Sequence, residues 1–295
     1  MNTTYTLQNK YLKATFKSQG AELISLCKEN IEYIWNGNPE FWNRHAPVLF
    51  PFVGSLKNNS YSYKGISYPM GQHGFARDKN FTVATQTEDS ITFQLESDEE
   101  SKKIYPFDFL FQLKYTLTSN GLVTSYFVEN PAQEDLYFSV GGHPAFNCPF
   151  EKNQTREEYI LMFDNDETPE AKLIEGSLIG NESYPVFKQE GILELPKNVF
   201  DNDAIVFNPN PFSQISFIHE PTGNTYMSVE FKNFPYLGIW SKNQEAPFIC
   251  IEPWHGIADN VNHNQEITEK EGIIKLNLKE TFNCEYSILI NFDNE

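Results

Sequence analysis

Short runs of alternating apolar and polar residues, cut by turn residues every 8–12 positions or so, constrain this chain most. Residues 5–8, 12–16 and 20–26 alternate in this way, and 32–35 ends at Asn36-Gly37. Residues 61–68 read as a hairpin turning near Lys64-Gly65, and 81–85 and 90–95 as two more strands. Residues 109–117 and 122–129 flank Ser119-Asn120-Gly121, and Asn-Gly marks a hairpin because it tolerates positive φ. The pattern continues through 159–163, 204–207, 214–218, 226–231, 237–240, 248–252, 273–278 and 286–290. Helical periodicity is nearly absent. Residues 97–103 read as one exposed turn, 39–43 as a short helix and 262–270 as a short surface element. Strands at this spacing predict an all-β sandwich or barrel. No repeat of fixed period appears, which argues against a propeller. No low-complexity linker interrupts the pattern, so residues 1–295 are expected to form a single domain, with the polar stretch 151–158 as a loop within it.

Charge narrows the function. The chain has 40 acidic and 22 basic side chains, a formal net charge of 22 − 40 = −18. Such a surface repels the phosphates of a nucleic acid, and an anionic membrane as well. Its longest apolar run, 46–53, is far short of the roughly 20 residues that span a bilayer. Residues 1–5 carry neither the basic nor the apolar part of a leader, so no signal peptide and a cytoplasmic location are expected. The four cysteines form no C-x-x-C pair, and reduced, mostly buried thiols are expected. The 25 Phe, 15 Tyr and 4 Trp are enough for a large core, with aromatic faces left to line a cleft. Arginine is scarce. Arg44, Arg77 and Arg156 are the whole supply of fork-shaped donors.

No G-x-G-x-x-G, P-loop, G-x-S-x-G or H-E-x-x-H is present, which weakens the nucleotide, serine-hydrolase and zincin readings. Three motifs remain. Gly71-Gln72-His73-Gly74-Phe75-Ala76-Arg77 follows a strand and places a His among glycines beside one of the arginines. Val140-Gly141-Gly142-His143-Pro144 reads as a tight reversal, and its small residues allow something to approach the backbone. Each of these two reads equally well, alone, as a structural corner. Ile249-Cys250-Ile251-Glu252-Pro253-Trp254 carries a carboxylate at the end of a strand buried on both faces. That is costly unless the acid is paired or used, and such a setting raises a Glu towards the range of a general base. Trp254 beside it offers a flat face for a sugar ring. Arg44, His45, Asp201, Asp203 and Asp259 are weaker candidates, and His219 and His263 are expected to face solvent. His73, His143 and Glu252 fit two chemistries, a metal site or an acid–base site. Their spacing does not choose between them.

Taken in order, Gln72-His73-Gly74-Phe75-Ala76-Arg77, Gly141-Gly142-His143-Pro144-Ala145-Phe146 and Ile251-Glu252-Pro253-Trp254 resemble the aldose 1-epimerase (galactose mutarotase) family. So do Pro47-Val48-Leu49-Phe50-Pro51 and the hairpin at 61–68. The match is to the bacterial mutarotase-like branch carrying H-G-F-A-R. The resemblance implies a large antiparallel β-supersandwich, a sugar as the partner, and no metal or other cofactor. It implies interconversion of the α and β anomers of a hexose, with Glu252 as base and His143 as acid. His73, Arg77, Asp203, Arg44 and Trp254 would bind the sugar. A hexose 6-phosphate mutarotase and a non-catalytic carbohydrate-binding protein on the same fold are the alternatives, with a monomer or a homodimer equally compatible. One departure stands out. The chain reads Gly54-Ser55-Leu56-Lys57 where relatives often carry Gly-Arg, which bears on which sugar is taken.

Overall fold

A computed structural model describes residues 3–291. Among these the expected all-β architecture is present, in antiparallel sheets. The two largest have nine and eight strands. A smaller four-stranded sheet holds the N-terminal strands Thr4–Gln8, Leu12–Lys17, Leu23–Lys28 and Ile31–Glu32. No helix of the described residues is long and apolar enough to cross a membrane.

The two large sheets share a core. Phe146 packs on Phe217 with ring centroids 6.1 Å apart, and Phe163 on Phe207 at the same distance, each pair joining one sheet to the other. Phe50 stacks on Phe111 at 4.4 Å. Aromatic pairs in these geometries add about 0.5–1.5 kcal/mol each beyond the area they bury, which is where the aromatic surplus goes.

The strand Phe248–His255 positions the site. It lies inside the eight-stranded sheet, against Tyr236–Trp240 on one side and Val140–Gly142 on the other. Ala145–Asn147 pairs with its first half. Side chains alternate faces along a strand, and here both faces are buried. Ile249 and Ile251 join the main core, while Phe248, Cys250, Glu252 and Trp254 point the other way.

Several local expectations change. Residues 39–43 form a single turn instead of a helix, because the Asn38 side chain accepts from the Glu40 amide at 3.0 Å and its carbonyl accepts from Trp42 at 3.0 Å. Residues 97–103 do contain one turn of helix, Glu99–Lys102, capped by Asp98. The 262–270 element is not wholly a surface feature. It holds the short turn Ile267–Glu269, and both Ile267 and Lys270 are buried. His219 does not face solvent either. It is buried, with Nδ1 2.9 Å from the Thr222 hydroxyl, and His263 is largely covered. Gly141 and Gly142 lie in a strand, with His143-Pro144 breaking the line before the next one. All four cysteines are free, but only Cys148 and Cys250 are buried.

Glu22 ties the N-terminal sheet to the segment that leads to the site. It is buried, takes an ion pair from Lys17 at 2.5 Å, and accepts from the amides of His45 at 2.6 Å and Ala46 at 3.1 Å. Burial pushes its pKa up, but the His45 side chain, Lys17 and the His45 amide outweigh burial and hold it at about 2, against 4.5. A depressed folded pKa means stability that is present above pH 4.5 and lost as pH falls towards 2. The stability difference between the wild type and Glu22→Gln, measured by urea unfolding, should therefore shrink by about 2 kcal/mol from pH 5 to pH 3. A constant difference would show that Glu22 is not held in this way.

Candidate active site

His73, His143, Arg77, Asp203, Glu252 and Trp254 line one cavity of about 580 Å³, within the usual size range for small-molecule sites. Arg44 does not line it, and this separates it from the other residues expected to bind sugar. Its guanidinium is held 2.9 Å from Asp78.

His143 and Glu252 meet at the floor. Nε2 of His143 lies 3.3 Å from Oε1 of Glu252, and both side chains are almost completely buried. The register explains why there is room. Gly238 stands directly across from Glu252, and Gly141 across from Trp254. A Cβ on Gly238 would fall 2.4 Å from Cη2 of Trp254, and one on Gly141 2.6 Å from its Cδ1. The two glycines thus clear the sheet for the indole. Glu252 Oε2 and Trp254 Nε1 have no hydrogen-bond partner of good geometry, although the indole lies close enough to favour the ionised carboxylate.

Burial sets the protonation of the pair. It drives the Glu252 carboxyl well above its ordinary value, with a smaller push from the charge of Asp203. It drives the His143 imidazole down to about 3, helped by Arg77 and Arg44. Burial thus favours the uncharged form of each, a carboxylic acid beside a neutral imidazole, with one titratable proton in all.

His143 is oriented by aromatic rings. Trp42 stacks on it at 4.9 Å and 26°, and Trp240 meets it edge-on at 5.7 Å. His73 stands 5.5 Å from it, ring centroid to centroid. His73 is fixed by a reciprocal clasp with Gly54. Its amide donates to the Gly54 carbonyl at 2.8 Å, and its Nδ1 accepts from the Gly54 amide at 3.1 Å. An accepting Nδ1 leaves the proton of a neutral ring on Nε2. Burial, with the His143 and arginine charges nearby, pushes the His73 pKa well below 6.5 and keeps it neutral. Arg77 gives one bond, from Nη2 to the Gln72 carbonyl at 2.7 Å, and its buried Nε has no partner. Burial, aided by Arg44, lowers its pKa to about 10. It remains charged at neutral pH.

Asp203 lies on the cavity rim at φ 70°, its carboxylate accepting from the next amide, that of Ala204, at 2.8 Å. Asp201 lines the cavity with it. Asp259 does not. It is a buried structural acid, 2.9 Å from the Lys270 ammonium and 2.9 Å from the Lys57 amide. His45 is likewise outside the cavity, beside Glu22.

Gln72 of the first motif also lines the cavity, as do Trp42, Trp240, Ser241, Lys242 and Phe200, which the sequence does not single out. Trp240 carries a usable signal as the aromatic end of the strand read at 237–240, and the structure sets it opposite Cys250. Trp42 carried none, since only the chain's long-range path brings it to His143. His143, Cys250 and Glu252 place one ligand atom each within 4.8 Å of one another. The acid–base reading uses the 3.3 Å contact between His143 and Glu252, while burial raises the Cys250 thiol well above 9.

The family model for aldose 1-epimerase matches residues 3–275. The chain is 31% identical to the chromosomal LacX protein of Lactococcus lactis subsp. lactis, over 97% of this chain and 99% of that one. A galactose mutarotase related enzyme from Lactobacillus acidophilus superposes with a TM-score of 0.91 at 34% identity, covering 99% of this chain and 98% of that one. A galactose mutarotase-like protein from Lactobacillus casei ATCC 334 also gives 0.91, at 29% identity, covering 98% and 100%.

Proposed function

We propose that this chain, which belongs to the aldose 1-epimerase family, interconverts the α and β anomers of a free hexose through Glu252 and His143. The observation that carries this reading is the buried Glu252–His143 contact of 3.3 Å on the floor of a cavity. The single proton of the pair passes from the Glu252 carboxyl to His143 when the sugar binds. The carboxylate then takes the proton of the C1 hydroxyl, and the imidazolium gives its proton to the ring oxygen. The C1–O5 bond breaks, leaving an aldehyde at C1 and a hydroxyl at C5. Rotation about C1–C2 turns the other carbonyl face to that hydroxyl. Reclosure returns the O5 proton to His143 and the Glu252 proton to the C1 oxygen, so no net proton is exchanged with solvent.

His73, with its proton on Nε2, donates to the sugar and supports negative charge on the ring oxygen. Arg77 and Asp203 bind hydroxyls, and Trp254 forms part of the wall. A neutral sugar is preferred to a 6-phosphate. A dianion calls for converging cations, but Arg44 is engaged by Asp78 and Nη2 of Arg77 by a carbonyl, while Asp201, Asp203 and Glu252 share the cavity. Polarimetry on freshly dissolved α-glucose and α-galactose tests the reading. The protein should speed the decay of rotation well above the spontaneous rate, and the 6-phosphates should be poorer substrates.

The pH profile carries its own expectation. An ordinary histidine takes a proton near pH 6.5, but burial holds His143 near 3, so the pair gains no second proton at pH 5. The kcat/KM at pH 5 should stay within about threefold of its value at pH 7. A fall with a midpoint near 6.5 would mean that His143 titrates as if exposed.

A further inference from the structure

Arg156 does not line the cavity, yet it holds two pieces of the cavity rim together from behind. It is 5% exposed and starts the turn Arg156–Glu158, which is fixed by a bond of 2.6 Å from the Thr155 amide to the Glu158 carboxylate. Its Nη1 donates to the Asn243 carbonyl at 3.2 Å, and its Nη2 to the Lys197 carbonyl at 3.1 Å. Those carbonyls belong to different segments. Lys197 begins the turn Lys197–Phe200, which delivers Phe200, Asp201 and Asp203 to the cavity. Asn243 directly follows Ser241 and Lys242, which line the same cavity. A second tie joins the same segments, from the side-chain Nε2 of Gln244 to the Asp201 carboxylate at 3.1 Å.

We infer that Arg156 is a positioning residue that fixes both rim segments and so sets substrate affinity without touching the substrate, an inference resting on the reading of this cavity as the sugar site. The planar fork of a guanidinium can reach two carbonyls from different segments at once, whereas a neutral side chain can reach neither with charge. Losing a hydrogen bond from a charged donor shifts an equilibrium by about tenfold or more.

The test measures hydrogen exchange and steady-state kinetics on Arg156→Met and Arg156→Lys beside the wild type. Amides of residues 197–203 and 241–246 should exchange at least about tenfold faster in Arg156→Met, with those of Phe248–His255 unchanged and Arg156→Lys intermediate. KM should rise about tenfold in Arg156→Met while kcat stays within about twofold. Unchanged exchange at the rim overturns the inference, as does a fall in kcat at constant KM. If Arg156→Met does not fold, Arg156→Lys decides by the same criteria. If neither folds, the inference is wrong, because a rim tether is dispensable to the core. Rim exchange is read with or without turnover. Looser rims in the variants of a protein that anomerises no sugar would therefore count against the proposed function and not against the tether.

Discussion

Glu252→Gln should lower the rate of anomerisation by about a thousandfold while leaving the fold intact, as expected for loss of a general base. The amide keeps the shape of the carboxyl in its place across from Gly238 but cannot take the proton of a C1 hydroxyl. Little stability should be lost. A buried carboxyl without a good partner at Oε2 contributes no net stabilisation, and burial already favours its neutral form. Polarimetry for rate and thermal unfolding for stability separate the two effects. A variant that relaxes the sugar as fast as the wild type would remove Glu252 from the mechanism. A variant that loses both activity and fold would assign it a structural role.

Asp259→Ala should be the most damaging of the substitutions away from the acid–base pair. Asp259 and Lys270 are each 1% exposed at the side chain, 2.9 Å apart, with the ammonium also 2.6 Å from the Ile257 carbonyl. Removing the acid leaves a buried ammonium without its counter-charge, a loss of about 3–5 kcal/mol. For a chain of this size that lowers Tm by about 10 °C. The damage should reach the cavity. The Asp259 amide donates to the Ser55 carbonyl at 2.9 Å and its carboxylate receives the Lys57 amide, which anchors the segment where Gly54 clasps His73. Adding Lys270→Met should recover about half of the lost stability, because removing both charges costs less than removing one. Equal Tm values for the wild type and Asp259→Ala would show that the pair is not buried as described.

The departure at Ser55 takes on meaning in this setting. Ser55 and Lys57 both belong to the anchored segment, and the Lys57 ammonium turns away to the His263 carbonyl at 3.1 Å. Neither Lys57 nor Arg44 lines the cavity, and Arg44 is paired with Asp78. Within the described residues, Arg77 is the arginine on the cavity.

Much of the architecture could be read along the chain because strand alternation is local. A period of two needs only neighbours, and hairpins such as Leu110–Leu117 with Gly121–Glu129 declare themselves through their turn residues. Glu252 was legible for the same reason, as an acid closing an apolar run. The polar stretch 151–158 hid Arg156, whose burial depends on carbonyls far along the chain. Likewise, Lys270 looked like a surface residue until Asp259 was placed beside it. Trp42 sat in a segment whose helix-like composition is overruled by one Asn38 turn, and its stacking on His143 follows from tertiary folding alone. Local pattern reports the strands and the odd charge within them. It is silent on partners brought in from elsewhere.

The central claim is turnover at the Glu252–His143 pair, and exchange spectroscopy by NMR on an equilibrated hexose measures it most directly. Cross-peaks between the α and β C1 protons should grow with added wild-type protein for a neutral aldose, more weakly for its 6-phosphate, and vanish with Glu252→Gln. Binding of these sugars without any acceleration of exchange by the wild type would contradict the account.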